Sequence, residues 1–167
     1  EQALEQVATD WAERNFIFKH YKNRGMLLFD QEHMSWLLEQ AEDTTMNMGT
    51  MLNSPYLATM REEAVNWIHT MTTVEAIISK YMRVQMLWRH LEVIFCAEES
   101  QAAQSIGQRE LTTNFMSVDR QYETIMKRAC TENNGVINSC LGIDGLADSL
   151  DSVISRLQMC KQAMAGF

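Results

Sequence analysis

The chain reads as all-α: an elongated helical bundle with long antiparallel helices and one small β-hairpin near residues 16–29. Three observations carry that reading. Apolar side chains recur at four-three spacing in segment after segment, the period of helices packed side by side. The run from about Met60 to Phe95 holds neither Gly nor Pro, so one unbroken helix of roughly 50 Å can form at about 1.5 Å per residue. Pro55 is the only proline, so nothing after it demands a proline kink.

Residues 1–14 read as the end of a helix, with Leu4, Val7 and Trp11 on one face and Trp11 as its buried anchor. The period then changes. Phe16, Phe18 and His20 alternate with Ile17, Lys19 and Tyr21, as side chains of a strand do. Asn23-Arg24-Gly25 supplies turn chemistry, and Met26 to Phe29 returns as a second strand. Asp30 can cap the next helix by accepting first-turn N–H groups. Met34, Leu38, Ala41, Thr45, Met48 and Leu52 form that helix's core face, and Asn53-Ser54-Pro55 ends it, because proline disfavours helical geometry in the residue before it.

The long helix then carries two adjacent stripes. Trp67, Met71, Val74, Ile78, Tyr81, Trp88 and Phe95 make one; Val84, Leu87, Leu91 and Ile94 make the other. Two stripes require packing on more than one side. Thr72-Thr73 is its weakest point, since β-branched residues lower helix propensity. Residues 98–107 are polar, with room for two helical turns. Leu111, Phe115, Val118, Tyr122, Ile125 and Ala129 give a further stripe. Asn133-Asn134-Gly135 is a turn, and Val136 to Leu141 a short helix. Gly142 and Gly145 loosen the backbone before a last helix with Leu146, Leu150, Val153, Leu157, Cys160 and Met164 inward and Asp144 or Asp148 near its start.

The formal charge of −8 and the lack of a Lys/Arg cluster argue against nucleic acid as a partner. No apolar run has bilayer-spanning length, which argues against a membrane. Cys96, Cys130, Cys140 and Cys160 are widely spaced within helical patterns, as reduced intracellular thiols are. Thirteen methionines could line a binding groove, but ordinary core filling accounts for them better. No GxxxxGK[ST] occurs, so no loop can cradle a triphosphate. Asp30 and His33 stand three apart, yet no Glu-x-x-His or Cys/His zinc spacing supports a metal. No Ser or Cys sits in a nucleophile elbow. His90 and Glu92 point in different directions from one helix. No catalytic, cofactor-binding or metal residue is therefore assigned. The chain opens at Glu1 already in helical phase and stops just after an apolar face, as a piece of a longer polypeptide would.

Val84-Gln85-x-x-Trp88-x-x-Leu91-Glu92-x-x-Phe95 resembles the signature of the dynein heavy-chain linker, the region before that motor's AAA+ ring. Trp11, then Phe16-x-Phe18-x-x-Tyr21 and Gly25, is similar to the linker's hairpin region. Ser54-Pro55-Tyr56 followed by Trp67 resembles its next helix entry, and Phe115-x-x-Val118-Asp119 a later segment. Phe18-Lys19-x-x-Lys22-Asn23-Arg24-Gly25 and Cys140-Leu141-Gly142 resemble axonemal outer-arm chains more than cytoplasmic ones. Val93 departs from the family's usual proline, and Ser105-Ile106-Gly107-Gln108 lacks the proline common there.

The resemblance implies one segment, residues 1–167, of a mechanical lever without catalysis of its own. ATP and Mg²⁺ would belong to the parent ring. Its partners would be that ring, microtubules through the parent motor, and other dynein subunits, on the cytoskeleton of a ciliary or flagellar axoneme or otherwise in the cytoplasm. Loops 96–108 or 131–145 could serve as its bend. Trp11, Trp67, Trp88 and Phe95 would be core anchors. The rival reading is a non-motor helical scaffold or adaptor bundle that binds partner helices. It does not predict the ordered aromatic series.

Overall fold

The computed structural model describes residues 2–96, 106–132 and 134–166, without the side chains of 56–58. Among these, helices α1 (Gln2–Glu13), α2 (Gln31–Leu52), α3 (Arg61–Phe95), α4 (Ile106–Thr131), α5 (Val136–Gly142) and α6 (Leu146–Met164) surround one two-stranded sheet, β1 (Phe18–Lys19) and β2 (Leu28–Phe29). The fold is the expected helical bundle with one hairpin. Most of residues 98–107, where two helical turns were expected, lies outside the described residues.

The central element is α3, 35 residues long. Its C-terminal two-thirds is buried on several sides, with Met71, Val74, Ile77, Ile78, Tyr81, Val84, Leu87, Trp88, Leu91 and Phe95 inside. Thr72 and Thr73 stay helical and bond back to the Ile68 and His69 carbonyls at 2.9 and 3.3 Å. α4 runs back along α3: Phe95 stacks on Phe115 at 4.9 Å and Trp88 on Tyr122 at 4.2 Å. α6 lies against both, with Lys80 of α3 paired to Asp151 and Arg156 bonded to Gln121 and Ser117 of α4. α2 covers another side of α3. A small separate core of Leu4, Met48 and Ala64 forms where α1, α2 and the start of α3 meet.

Asp30 caps α2 as expected, its side chain accepting from the His33 N–H at 3.2 Å. The α2 stripe is shifted, however. Leu37 and Thr44 take the buried line with Met34, Ala41 and Met48, while Leu38, Thr45 and Leu52 sit half-buried beside it. Thr44 is drawn inward because its hydroxyl accepts the Trp11 indole N–H at 3.1 Å and donates to the Gln40 carbonyl at 2.8 Å. Pro55 opens a 3₁₀ segment, Pro55–Met60, that leads into α3; its missing N–H costs nothing at a first turn. Trp67 is only half-buried and bridges the two cores. It is a weaker anchor than expected.

Three more positions differ from the pattern. Ile94 lies at the exposed edge of α3 while Glu92 is buried at 1% exposure. In α4, Met126 takes the inner place expected of Ile125. The strand alternation holds through Lys19 and then breaks, so His20 is exposed and Tyr21 buried. The last helix follows its expected face throughout, with Met164 half-buried at its end.

Candidate functional site

The hairpin's own strands pair only Phe18 with Phe29 and Lys19 with Leu28. Two residues per strand is too little to hold a hairpin by itself in water. Its fixation comes from side chains of α3 and α4. The Gln85 amide accepts from the Phe29 N–H at 2.6 Å and donates to the Phe29 carbonyl at 3.4 Å, so one side chain does the work of a third strand. The Tyr122 hydroxyl donates to the Leu27 carbonyl at 2.5 Å. Phe16 and Phe29 meet edge-on at 5.2 Å, and Phe29 lies 4.7 Å from Tyr81.

The turn between the strands delivers three polar side chains to one spot. Gly25 adopts φ +97° and Lys22 φ +49°, conformations that glycine tolerates and lysine rarely takes. The fold thereby aims Tyr21, Lys22 and Arg24 at two carboxylates that lie among apolar neighbours. Glu92 accepts the Tyr21 hydroxyl at 3.0 Å and the Lys22 ammonium at 3.3 Å on one oxygen, and Arg24 at 3.5 Å on the other. Asp119, from α4, receives Arg24 through two parallel bonds of 3.0 and 2.6 Å, and the Trp88 indole N–H at 2.7 Å. Arg24 also reaches Glu123 at 3.1 Å, and Glu123 holds Lys127 at 2.6 Å. A paired fork of this kind is among the strongest charge-assisted arrangements. Three carboxylates thus face three cations, which offsets the cost of burying Glu92 and Asp119.

The electrostatics follow. Hydrogen bonds to Asp119 hold the Arg24 guanidinium charged well above its usual range. The Lys22 ammonium is pushed up by its bond to Glu92. Burial, then the bond to Glu92, raises the Tyr21 hydroxyl, and burial raises Tyr122. The bond from Lys127, helped by Arg24, lowers Glu123. Each carboxylate oxygen of Glu92 and Asp119 already accepts at least one donor. The arrangement joins elements rather than offering a free base or nucleophile.

Of the residues expected to matter, Tyr21, Gly25, Gln85, Trp88, Glu92 and Asp119 converge here. Trp88 lies at the centre, stacked on Tyr122, edge-on to Tyr21 at 4.9 Å and under Arg24 at 5.5 Å. Phe16, Phe18, Val84 and Leu91 pack in the adjoining core, and Phe95 meets Phe115 one turn beyond the clasp. Trp11 lies apart, between α1 and α2, with Arg14 held 4.5 Å over its ring. Ser54, Pro55 and Trp67 lie at the opposite end of α3. The sequence places Arg24 in the turn and in the outer-arm motif but does not mark it as the partner of buried acids. The signal that could have found it is two acids, Glu92 and Asp119, set into apolar stripes: buried carboxylates require a cation.

Asp30 and His33 are both engaged, the His33 ring with the Asn15 carbonyl at 2.9 Å. Among the described residues no His/Cys/Asp/Glu group could hold a metal, and no helix is long and apolar enough to cross a membrane.

A family model described as dynein heavy chain, N-terminal region 2, matches residues 1–167. The chain belongs to the dynein heavy-chain family. It is 29% identical over its whole length to the flagellar outer-arm dynein gamma chain of Chlamydomonas reinhardtii and to human dynein axonemal heavy chain 8, covering 4% of each. It is 28% identical to rat dynein axonemal heavy chain 5, of which it covers 5%. The chain therefore spans about one twentieth or less of the dynein heavy chains it matches. The residues of the clasp belong to one region of that family, its N-terminal region 2.

Proposed function

We propose that this segment is part of the mechanical lever, the linker, of a dynein heavy chain that works in a ciliary or flagellar axoneme. The observation that carries the reading is the clasp: a hairpin from residues 18–29 bolted simultaneously to α3 and α4, across a helix roughly 50 Å long. A body that transmits force needs long helices fixed in register, and the three-way ionic joint supplies that fixation. The names of the axonemal relatives support the location. ATP and Mg²⁺ would act in the ring of the parent chain, with microtubules reached through that motor and other dynein subunits as further partners.

The bend that a lever requires would have to respect the joints. Arg24 spans Glu92 and Asp119, on the helices either side of the expected bend at 96–108, of which residues 106–108 already belong to α4. The 131–145 segment is fastened through Phe16 N–H to the Asn134 carbonyl at 2.7 Å and Val136 N–H to the Arg14 carbonyl at 3.0 Å. The test is Arg24→Ala in the full heavy chain. Microtubule gliding should slow by more than ATP turnover does, as force is lost between ring and track. Equal gliding speed in a variant whose clasp is demonstrably broken would remove the lever reading. A designed cross-link closing 131–145 provides the converse test, slowing gliding while nucleotide binding persists.

A further inference from the structure

α3 carries a third stripe beside its two packed faces, half-buried at Met82, which packs against the core, and exposed at Met86, Arg89 and Val93. Met82, Met86, Arg89 and Val93 fall at i, i+4, i+7 and i+11, and Met86 and Val93 are 61% and 56% exposed. They form one wall of a groove of about 400 Å³ whose other wall is Phe29, Gln31 and Met34. Four-three spacing is the ridge that another helix fits at a shallow crossing angle. Methionine's unbranched, polarizable side chain adapts to such a partner.

The charge around the groove selects the partner's chemistry. Among the described residues that line it, the ionisable ones are Arg89 and His90, and none is acidic. The chain as a whole has 22 Asp and Glu against 14 Lys and Arg, so this groove is a local exception on an acidic molecule. Asp30, next to two lining residues in sequence, is turned to the His33 N–H and lies 3.9 Å from Lys19. We propose that the groove seats an amphipathic α-helix of a partner protein, with apolar residues at four-three spacing flanked by carboxylates. Apolar anchors would lie against exposed Met86 and Val93, since Phe29 and Met34 of the other wall are buried, and the flanking acids would meet Arg89 and His90. Such complementarity sets the partner's identity and orientation more than its affinity. The proposal does not depend on the lever reading.

The test uses two synthetic helical peptides on the full heavy chain that carries these residues. They share Leu at i, i+4, i+7 and i+11 and differ only in Glu or Lys at the flanking positions. Fluorescence anisotropy should show the Glu peptide binding about tenfold or more tighter than the Lys peptide, with the gap closing at high salt. Arg89→Glu should reverse the preference, and Met86→Asp should abolish binding of both while the thermal midpoint stays put. The proposal is overturned by equal affinities, by no binding at peptide concentrations on the order of 100 µM, or by binding indifferent to both substitutions. Self-association of the chain that Met86→Asp removes would give the groove to a second copy and overturn it equally.

Discussion

Arg24→Ala is the sharpest perturbation of the clasp. The guanidinium makes two bonds to Asp119, one to Glu123 and a longer one to Glu92. Removing it leaves Asp119 at 5% exposure with only the Trp88 N–H, and Glu92 with Tyr21 and Lys22. Breaking a buried pair from one side costs about 3–5 kcal/mol, because a charge stays behind without its partner. Arg24 is itself 27% exposed, so water can reach part of the gap, and about 3 kcal/mol is the expected loss. Against a total stability of about 5–15 kcal/mol that is a large fraction. For a chain of this size it lowers the thermal midpoint by roughly 6–12 °C.

Urea unfolding followed by tryptophan fluorescence measures it, since Trp88 sits inside the clasp; the midpoint should fall with the slope unchanged. Lys127→Ala removes an exposed pair on the same helix and should cost no more than about 0.5 kcal/mol. In a double-mutant cycle, Arg24→Ala and Asp119→Ala should couple by about 1.5–3 kcal/mol. A loss at Arg24 no larger than at Lys127, or strict additivity with Asp119, would refute the ionic joint as the hairpin's anchor.

Gln85→Leu keeps the bulk but strips the Phe29 backbone of both its side-chain partners, and equilibrium unfolding should show a loss of about 2 kcal/mol. Gly25→Ala meets no neighbour within 4 Å, so its expected cost of about 1–2 kcal/mol is backbone strain alone; a neutral result in the same assay would mean the turn relaxes. Trp88→Ala should cost about 3–5 kcal/mol, and half-buried Trp67→Ala clearly less, a ranking that calorimetry reads directly. Burial pushes the Cys140 thiol, ordinarily 9.0, and the Tyr81 hydroxyl, ordinarily 10.0, up to about 12. Their stabilisation is complete below the ordinary values and is lost as pH rises from 9 towards 12, because the unfolded chain gives up the protons first. Each group should contribute a fall of about 1.4 kcal/mol per pH unit, and Cys140→Ala should flatten the part that starts at pH 9.

The helices were legible because their apolar periods are long and their stops are chemical: Asp30 as a cap, Pro55 as a break, Gly145 at φ +72° before α6. What the pattern could not locate was which of two adjacent positions faces inward. Leu37 against Leu38, Thr44 against Thr45 and Met126 against Ile125 each differ by about 100° of helix rotation, and a broad apolar face accommodates either. Partners outside the helix decide, as the Trp11 indole does for Thr44. The exchange of Ile94 for Glu92 is of another kind. Hydrophobicity alone ranks Ile94 inside, but three donors of a turn some seventy residues earlier in the chain converge on Glu92, and no window along one helix contains them.

Those misplaced positions bear on why a lever would carry charge in its core at all. Apolar stripes hold helices together without direction, and ridges packed in grooves can shift by a step at modest cost. Two parallel bonds from one guanidinium to one carboxylate have direction, and they fail when the groups move by an ångström or two. Arg24 therefore contributes register more than adhesion: it adds a second directional tie to the Trp88–Asp119 bond between α3 and α4, and its removal should weaken their resistance to sliding more than their contact. A conservative Arg24→Lys substitution separates these roles. Lysine keeps the charge and loses the fork, so stability should recover in part while gliding in the full heavy chain stays slow. If Arg24→Lys restores both to the same degree, the net charge of the clasp matters and its geometry does not.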